Sequence, residues 1–112
     1  MSVTKVSEQS GCVVIALSGE IDLDNAGDVR RELLDSLDNR KDVLVDMSGV
    51  TYIDSSGIAS LVEGLQKARK QKTELSLVSV SQRARRVLEL ARLDKVFTIH
   101  TDVTAALAAK SS

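Results

Sequence analysis

A change of hydrophobic period across Asp54-Ser55-Ser56-Gly57 constrains this chain more than any other stretch. Before it, Val43-Leu44-Val45-Asp46-Met47 is a short apolar run, the pattern of a strand buried in the middle of a sheet. After it, Ile58, Leu61, Val62, Leu65 and Ala68 recur at i, i+3, i+4, i+7 and i+10. One helical face therefore packs inward, while Glu63, Gln66, Lys67 and Lys70 face water. The quartet between them is the mouth of a helix that leaves a buried strand.

A helix mouth leaves backbone N–H groups without intrahelical partners and carries the positive end of the peptide dipole. Short oxygen-bearing side chains are favoured there, and Asp54 is the expected cap. The same N–H groups and partial charge attract an anion such as phosphate, and Ser55 and Ser56 sit among them. Gly57 has no side chain to shield these serines, so a partner's backbone or a kinase's phosphate donor has room to approach. Plain capping accounts for the same four residues, and a function for them has to draw on the rest of the chain.

Upstream, Val3-Thr4-Lys5-Val6 is expected as an edge strand that turns through Glu8-Gln9-Ser10-Gly11 into the stronger strand Cys12 to Leu17, a hairpin. Ser18-Gly19-Glu20-Ile21-Asp22 then leaves the sheet. Asp24 or Asn25 caps a first helix with Ala26, Val29, Leu33 and Leu37 inward. Ser48-Gly49-Val50-Thr51-Tyr52-Ile53 is expected as a loop whose Ile53 plugs the core beneath the quartet. Downstream, the second helix ends in Arg69-Lys70-Gln71-Lys72, cations suited to a helix C-terminus. Leu75, Leu77, Val78 and Val80 make another inner strand, and Ser81 caps a third helix with Ala84, Val87, Leu88 and Ala91 inward and Arg83, Arg85 and Arg86 in water. Val96, Phe97 and Ile99 suggest a last strand. Thr101 or Asp102 caps an alanine-rich helix expected to fray at Lys110-Ser111-Ser112. The order ββαβαβαβα with right-handed crossovers predicts an α/β sandwich on a mixed sheet. Loops at the carboxyl ends of parallel strands gather at one edge, which brings Gly19-Glu20-Ile21-Asp22 and the quartet to the same end.

The length of 112 residues fits a single domain, 1–112 with a core from about 3 to 109, able to bury roughly two-thirds of its unfolded surface without staples. Aromatic residues make up only 2% of the chain and Trp and Pro are absent, so the core is aliphatic and stacking recognition of bases or sugars is not expected. The single cysteine, Cys12, forms no intrachain disulfide and reads as a small buried hydrophobe, in keeping with a reducing cytoplasm. Neither an apolar leader nor a membrane-spanning run occurs, so a soluble, untargeted protein with no membrane insertion is expected. Net charge is −1, with residues 1–54 carrying 11 acidic and 5 basic side chains and residues 55–112 carrying 5 acidic and 10 basic. That asymmetry can orient a charged partner, but the overall balance does not suit direct nucleic-acid binding.

No catalytic constellation emerges. A serine nucleophile needs a base within reach, and the one histidine, His100, is not paired with Ser55 or Ser56 by any sequence pattern. G-x-S-x-G, G-x-G-x-x-G and the P-loop pattern are absent, so neither hydrolase nor nucleotide-binding chemistry has a motif behind it. One Cys and one His do not make an ordinary zinc site. Asp22, Asp24, Asp46 and Asp54 sit where caps and strand ends are expected rather than at a magnesium site. Catalytic residues, metal and cofactor are all expected to be none.

Ser18-Gly19-Glu20-Ile21-Asp22, Val43-Leu44-Val45-Asp46-Met47 and Tyr52-Ile53-Asp54-Ser55-Ser56-Gly57-Ile58, in that order and spacing, resemble the STAS family of anti-sigma factor antagonists. The likeness runs from about Val3 to Ile99, and the Asp-Ser-Ser-Gly element after a buried strand is its specific part. It implies a STAS-like α/β sandwich, a mixed and mostly parallel sheet of about five strands with about four helices packed on one side. It also implies a non-catalytic, cytoplasmic partner switch, a monomer or weak dimer. The unphosphorylated antagonist binds an anti-sigma factor with serine kinase activity and frees the sigma factor, and phosphorylation breaks the complex. Carried over by position, the phosphoacceptor is Ser56, and Asp22, Asp54, Ser55 and Gly57 complete the partner-binding surface. Related small subunits dock on the ATPase of lipid-transport ABC systems or build stress-signalling assemblies, and these stand as alternative roles.

Overall fold

The computed structural model describes residues 3–111. β1 (Val3–Gln9) and β2 (Cys12–Ile21) form the expected hairpin, paired antiparallel around Ser10 and Gly11, both with positive φ. β2, β3 (Val43–Ile53), β4 (Leu75–Val78) and β5 (Thr98–His100) then run parallel, and the sheet order is simply β1-β2-β3-β4-β5. α1 (Ala26–Leu37), α2 (Ser55–Lys70) and α3 (Gln82–Leu90) are the crossovers, and α4 (Val103–Ser111) follows the last strand. The predicted element order ββαβαβαβα is the one observed.

Strands that advance in one direction across a parallel sheet with right-handed connections put all their crossovers on one face. Val13, Ile15, Val43, Val45, Met47 and Leu77 point to that face and pack with Val29, Leu33, Leu61, Leu65 and Leu88 in the main core. The alternate residues Cys12, Val14, Leu44 and Val78 point the other way and form a second, smaller cluster with Ala106, Val103 and Leu107. This corrects the expectation that all the helices pack on one side. α4 covers the opposite face, where Val103, Ala106 and Leu107 pack on Cys12, Val14, Leu44 and Val78.

Both strands that lead to the quartet run further than their apolar content indicates. Ser18 to Ile21 stay in β2, and Ser48 to Ile53, expected as a loop, complete β3, with Glu20 and Ile21 in register with Tyr52 and Ile53. The pairing is broken by irregularities between Ala16 and Ser18 and between Gly19 and Glu20. A Cβ on Gly49 would lie 2.9 Å from the Ser18 Cβ, so glycine is what lets the two backbones approach there. Lys110, expected to fray, is tied down, its Nζ 3.0 Å from Asp42 Oδ2 and 2.6 Å from Glu74 Oε2. The remainder of that expectation touches Ser112, which lies outside the described residues. No helix among the described residues is long and apolar enough to cross a membrane.

Candidate functional site

The long parallel pairing of β2 with β3 carries two loops to one edge. The Asp54 N–H donates to the Ile21 carbonyl at 3.0 Å, and the Leu23 N–H bonds the Asp54 carboxylate. Gly19-Glu20-Ile21-Asp22 and Asp54-Ser55-Ser56-Gly57 are therefore neighbours. The β2–α1 loop is held by its own polar groups. Asp22 Oδ1 accepts from the Asp24 N–H at 3.0 Å, and the Asp22 carbonyl accepts from the N–H groups of Asn25 and Ala26. Asn25 occupies the N-cap position of α1 but makes no side-chain cap bond. Its Oδ1 instead accepts from the Asp22 N–H at 2.9 Å and its Nδ2 donates to the Glu20 carbonyl at 2.7 Å. Asn25 thus locks the loop that carries Asp22, a duty that capping rules alone do not assign.

Asp54 is the cap of α2, as expected. A single oxygen, Oδ1, accepts from the N–H groups of Ser56 (2.9 Å) and Gly57 (3.1 Å) and from the hydroxyl of Ser56 (2.5 Å). The Ser56 hydroxyl, then the Gly57 N–H, together with the N–H groups of Ser56 and Leu23, hold the Asp54 carboxyl below the usual carboxylate range against a weaker opposing effect of desolvation. Ser56 is half-buried and its hydroxyl is pinned by that carboxylate; Ser55 is exposed. The arrangement presents one oriented hydroxyl and one acidic group at the positive end of a helix.

Gly57 serves a different end from the one expected. It is buried, and a Cβ there would lie 2.6 Å from Ile53 Cγ1 and 2.8 Å from Ile21 Cγ2. Its missing side chain lets the first turn of α2 sit down on the ends of β2 and β3; it does not clear space above the serines. Ser60, which sequence reasoning passed over, is buried one turn later, and its hydroxyl donates to the carbonyls of Ala26 (3.0 Å) and Ser56 (3.1 Å). The signal for it was a serine on the inward face of an otherwise aliphatic helix. Leu23, 81% exposed between Asp22 and Asp24, was also passed over.

The remaining candidates do not converge on this edge. His100 is in register with Val78, which belongs to the cluster under α4, so it lies across the sheet from Ser56. Asp46 caps its own bulge by accepting from the Ser48 N–H at 2.9 Å. Cys12 is buried beneath α4, and burial pushes its thiol pKa up. Among the described residues no three His, Cys, Asp or Glu side chains are grouped to hold a metal ion.

The STAS domain family model matches residues 4–106. The anti-sigma-B factor antagonist of Bacillus subtilis is 26% identical over 94 residues, which cover 84% of this chain and 86% of that one. Its counterpart from Listeria monocytogenes is 30% identical over 87 residues, covering 76% of this chain and 75% of the relative. Among solved structures, an anti-sigma factor antagonist from Mycobacterium paratuberculosis superposes with a TM-score of 0.88 at 27% identity, over 99% of this chain and 96% of that chain. The five-stranded sheet with its first three helices on one face, the capped mouth of α2 and these likenesses agree, and the chain belongs to the STAS domain family.

Proposed function

We propose that this protein is an anti-sigma factor antagonist that works without catalysis. In its unphosphorylated form it binds an anti-sigma factor with serine kinase activity, through a surface made by Asp22, Asp54, Ser55 and Ser56 at the mouth of α2. Gly57 shapes that surface from below. Transfer of phosphate to Ser56 ends the association. The observation that carries this reading is the Ser56 hydroxyl, half-exposed and held at 2.5 Å by the Asp54 carboxylate in a chain whose family relatives are named anti-sigma factor antagonists.

The physics of the switch is short. A phosphoryl group adds about −1.5 to −2 charges at neutral pH. At a contact fitted to a neutral hydroxyl, a desolvated dianion without a cation costs roughly 3–4 kcal/mol, which is two to three decades in affinity. The kinase supplies ATP, metal and base, so no such group is needed on this chain.

The test is a binding and phosphorylation assay with a co-encoded anti-sigma kinase. Ser56→Ala is expected to bind constitutively and to accept no phosphate, and Ser56→Asp to bind poorly. Phosphate found on Ser55, or copurification with a transporter ATPase in place of the kinase, would overturn the reading.

A further inference from the structure

Beyond the mouth of α2, β3 runs on past its neighbour. β4 pairs with β3 only as far as Asp46, so the segment Val50 to Ile53 is bordered on that side by α3, whose cap Ser81 donates its hydroxyl to the Val50 carbonyl at 2.8 Å. The space between strand end and helix is a groove of about 400 Å³ lined by Thr51, Tyr52, Arg83, Arg86, Val87 and Leu90. Its apolar members are left in water, Tyr52 51% exposed and Leu90 80% exposed.

The charges beside the groove are also unmatched. Arg83 and Arg86 stand on the wall of the groove and, like most of the basic side chains among the described residues, form no ion pair within the chain. Tyrosine and arginine around an apolar pocket are the residue types that dominate binding energy at protein interfaces. Two guanidinium groups side by side on the groove wall offer planar, bidentate donors that suit the carboxylates of a bound segment. A lipid surface offers anions too, but it is flat, whereas this concavity has the size that takes a few side chains. The groove also continues the proposed contact, because Tyr52 stands two residues before Asp54 on the same strand end.

We infer that this groove seats an acidic segment of the anti-sigma factor that carries a bulky apolar side chain. Its carboxylates meet Arg83 and Arg86, and its apolar side chain packs on Tyr52, Val87 and Leu90. The inference rests on the reading above, that the same partner covers the mouth of α2.

The experiment measures association and dissociation rates of the full chain with the anti-sigma kinase, at low and high salt, for wild type, Ser56→Asp, Arg83→Glu/Arg86→Glu and Leu90→Ser. All four positions are exposed or half-buried, and matching circular dichroism spectra check the fold. The double charge reversal is expected to weaken binding by at least about tenfold, chiefly through slower association, and to remove most of the salt dependence. Leu90→Ser is expected to weaken it at least about tenfold through faster dissociation. If both groove variants bind like wild type while Ser56→Asp does not, the groove assignment is overturned and the reading of the α2 mouth stands. If wild type itself does not bind the kinase, both fall. Dimerisation of the chain, or its capture by phosphatidylglycerol vesicles, abolished by the charge reversal with kinase affinity unchanged, would also overturn the assignment.

Discussion

The bond between the Ser56 hydroxyl and Asp54 Oδ1 sets what the phosphorylation proposed for Ser56 has to undo, since esterification would remove the donated proton and bring a negative group against a carboxylate 2.5 Å away. The side chain must turn outward, and Asp54 loses the largest of the influences that depress its pKa while acquiring a like charge. Its pKa is therefore expected to rise on phosphorylation. In the unmodified protein the folded-state value is depressed. The stabilisation Asp54 provides is present above the ordinary carboxylate range and is lost as pH falls through that lower folded value. A carbon-detected NMR titration of the Asp54 carboxyl in both forms checks this, and an unchanged midpoint after phosphorylation would contradict it. Gly57 supports a second prediction. Alanine is better than glycine in a helix by up to about 1 kcal/mol, but here its Cβ would press into Ile53 and Ile21, which are 1% and 0% exposed. Neither can yield, so Gly57→Ala is expected to lower stability by about 1–2 kcal/mol in urea unfolding, net of that helical preference. The caps Asp54 and Ser81 were legible in the sequence because a short acceptor before a helical period has few other uses, and of the two candidates Thr101 and Asp102 it is Asp102 that accepts from the Ala105 N–H. The roles of Gly57 and Asn25 were not legible, since both depend on where neighbouring strands and loops arrive.

Elements whose burial has a period were legible, and those without one were not. The sequence pattern predicts a loop over Ser48 to Ile53 because Ser48, Gly49, Thr51 and Tyr52 break the apolar run, and the strand geometry observed there comes from β2 alongside it, not from its own residues. α4 offers no face to assign from its sequence, because alanine is equally at home on all sides of a helix, and its place is set by Val103, Ala106 and Leu107 meeting Cys12, Val14, Leu44 and Val78 on the sheet. That weak apolar contact makes α4 the element expected to open first. It is held by Val103, Ala106 and Leu107 over a small cluster and by Lys110 at its end. Burial works to raise the Asp42 carboxyl, but the Glu74 N–H and the Lys110 ammonium outweigh it and hold it down; burial likewise works to lower Lys110, and the carboxylates of Glu74 and Asp42 hold it up. The tether is thus complete above the ordinary Asp value of 3.8 and below the ordinary Lys value of 10.5, and is lost as pH falls through the depressed Asp42 value or rises through the elevated Lys110 value. Lys110→Met should cost about 1 kcal/mol or less, because its partners are partly exposed. Cys12, 4% exposed beneath this helix, reports the opening directly. Its labelling by a maleimide should be faster than global unfolding allows, and faster again in Lys110→Met. Equal rates in the two proteins would show that α4 stays docked without the tether.

For the molecule as a whole, the central issue is whether a charge switch at one edge needs any change in the fold. Two effects at Ser56 nearly cancel within the domain. An anion at a helix N-terminus is favoured by about 0.3–1 kcal/mol, and the approach of Asp54 opposes it, although water at the half-exposed site screens the repulsion. Either is small beside the total stability of roughly 5–15 kcal/mol expected of a domain this size. The core lies directly beneath, but a hydroxyl that turns outward moves away from it, and Ile53, Leu61 and Leu33 are already fully packed below the helix mouth. Ser56→Asp and the phosphorylated protein are therefore expected to stay folded, with unfolding free energies within about 1 kcal/mol of wild type. Amide chemical-shift changes should be confined to residues 20–25 and 54–60, where the hydrogen bonds of Asp54 and the Asp22 loop run. Partner affinity should nonetheless fall by two to three decades, because the whole penalty arises from desolvating the dianion at the contact. Shift changes spreading through β4 and α4, or a large loss of stability, would mean that the switch acts by remodelling the domain and not by charge at its surface.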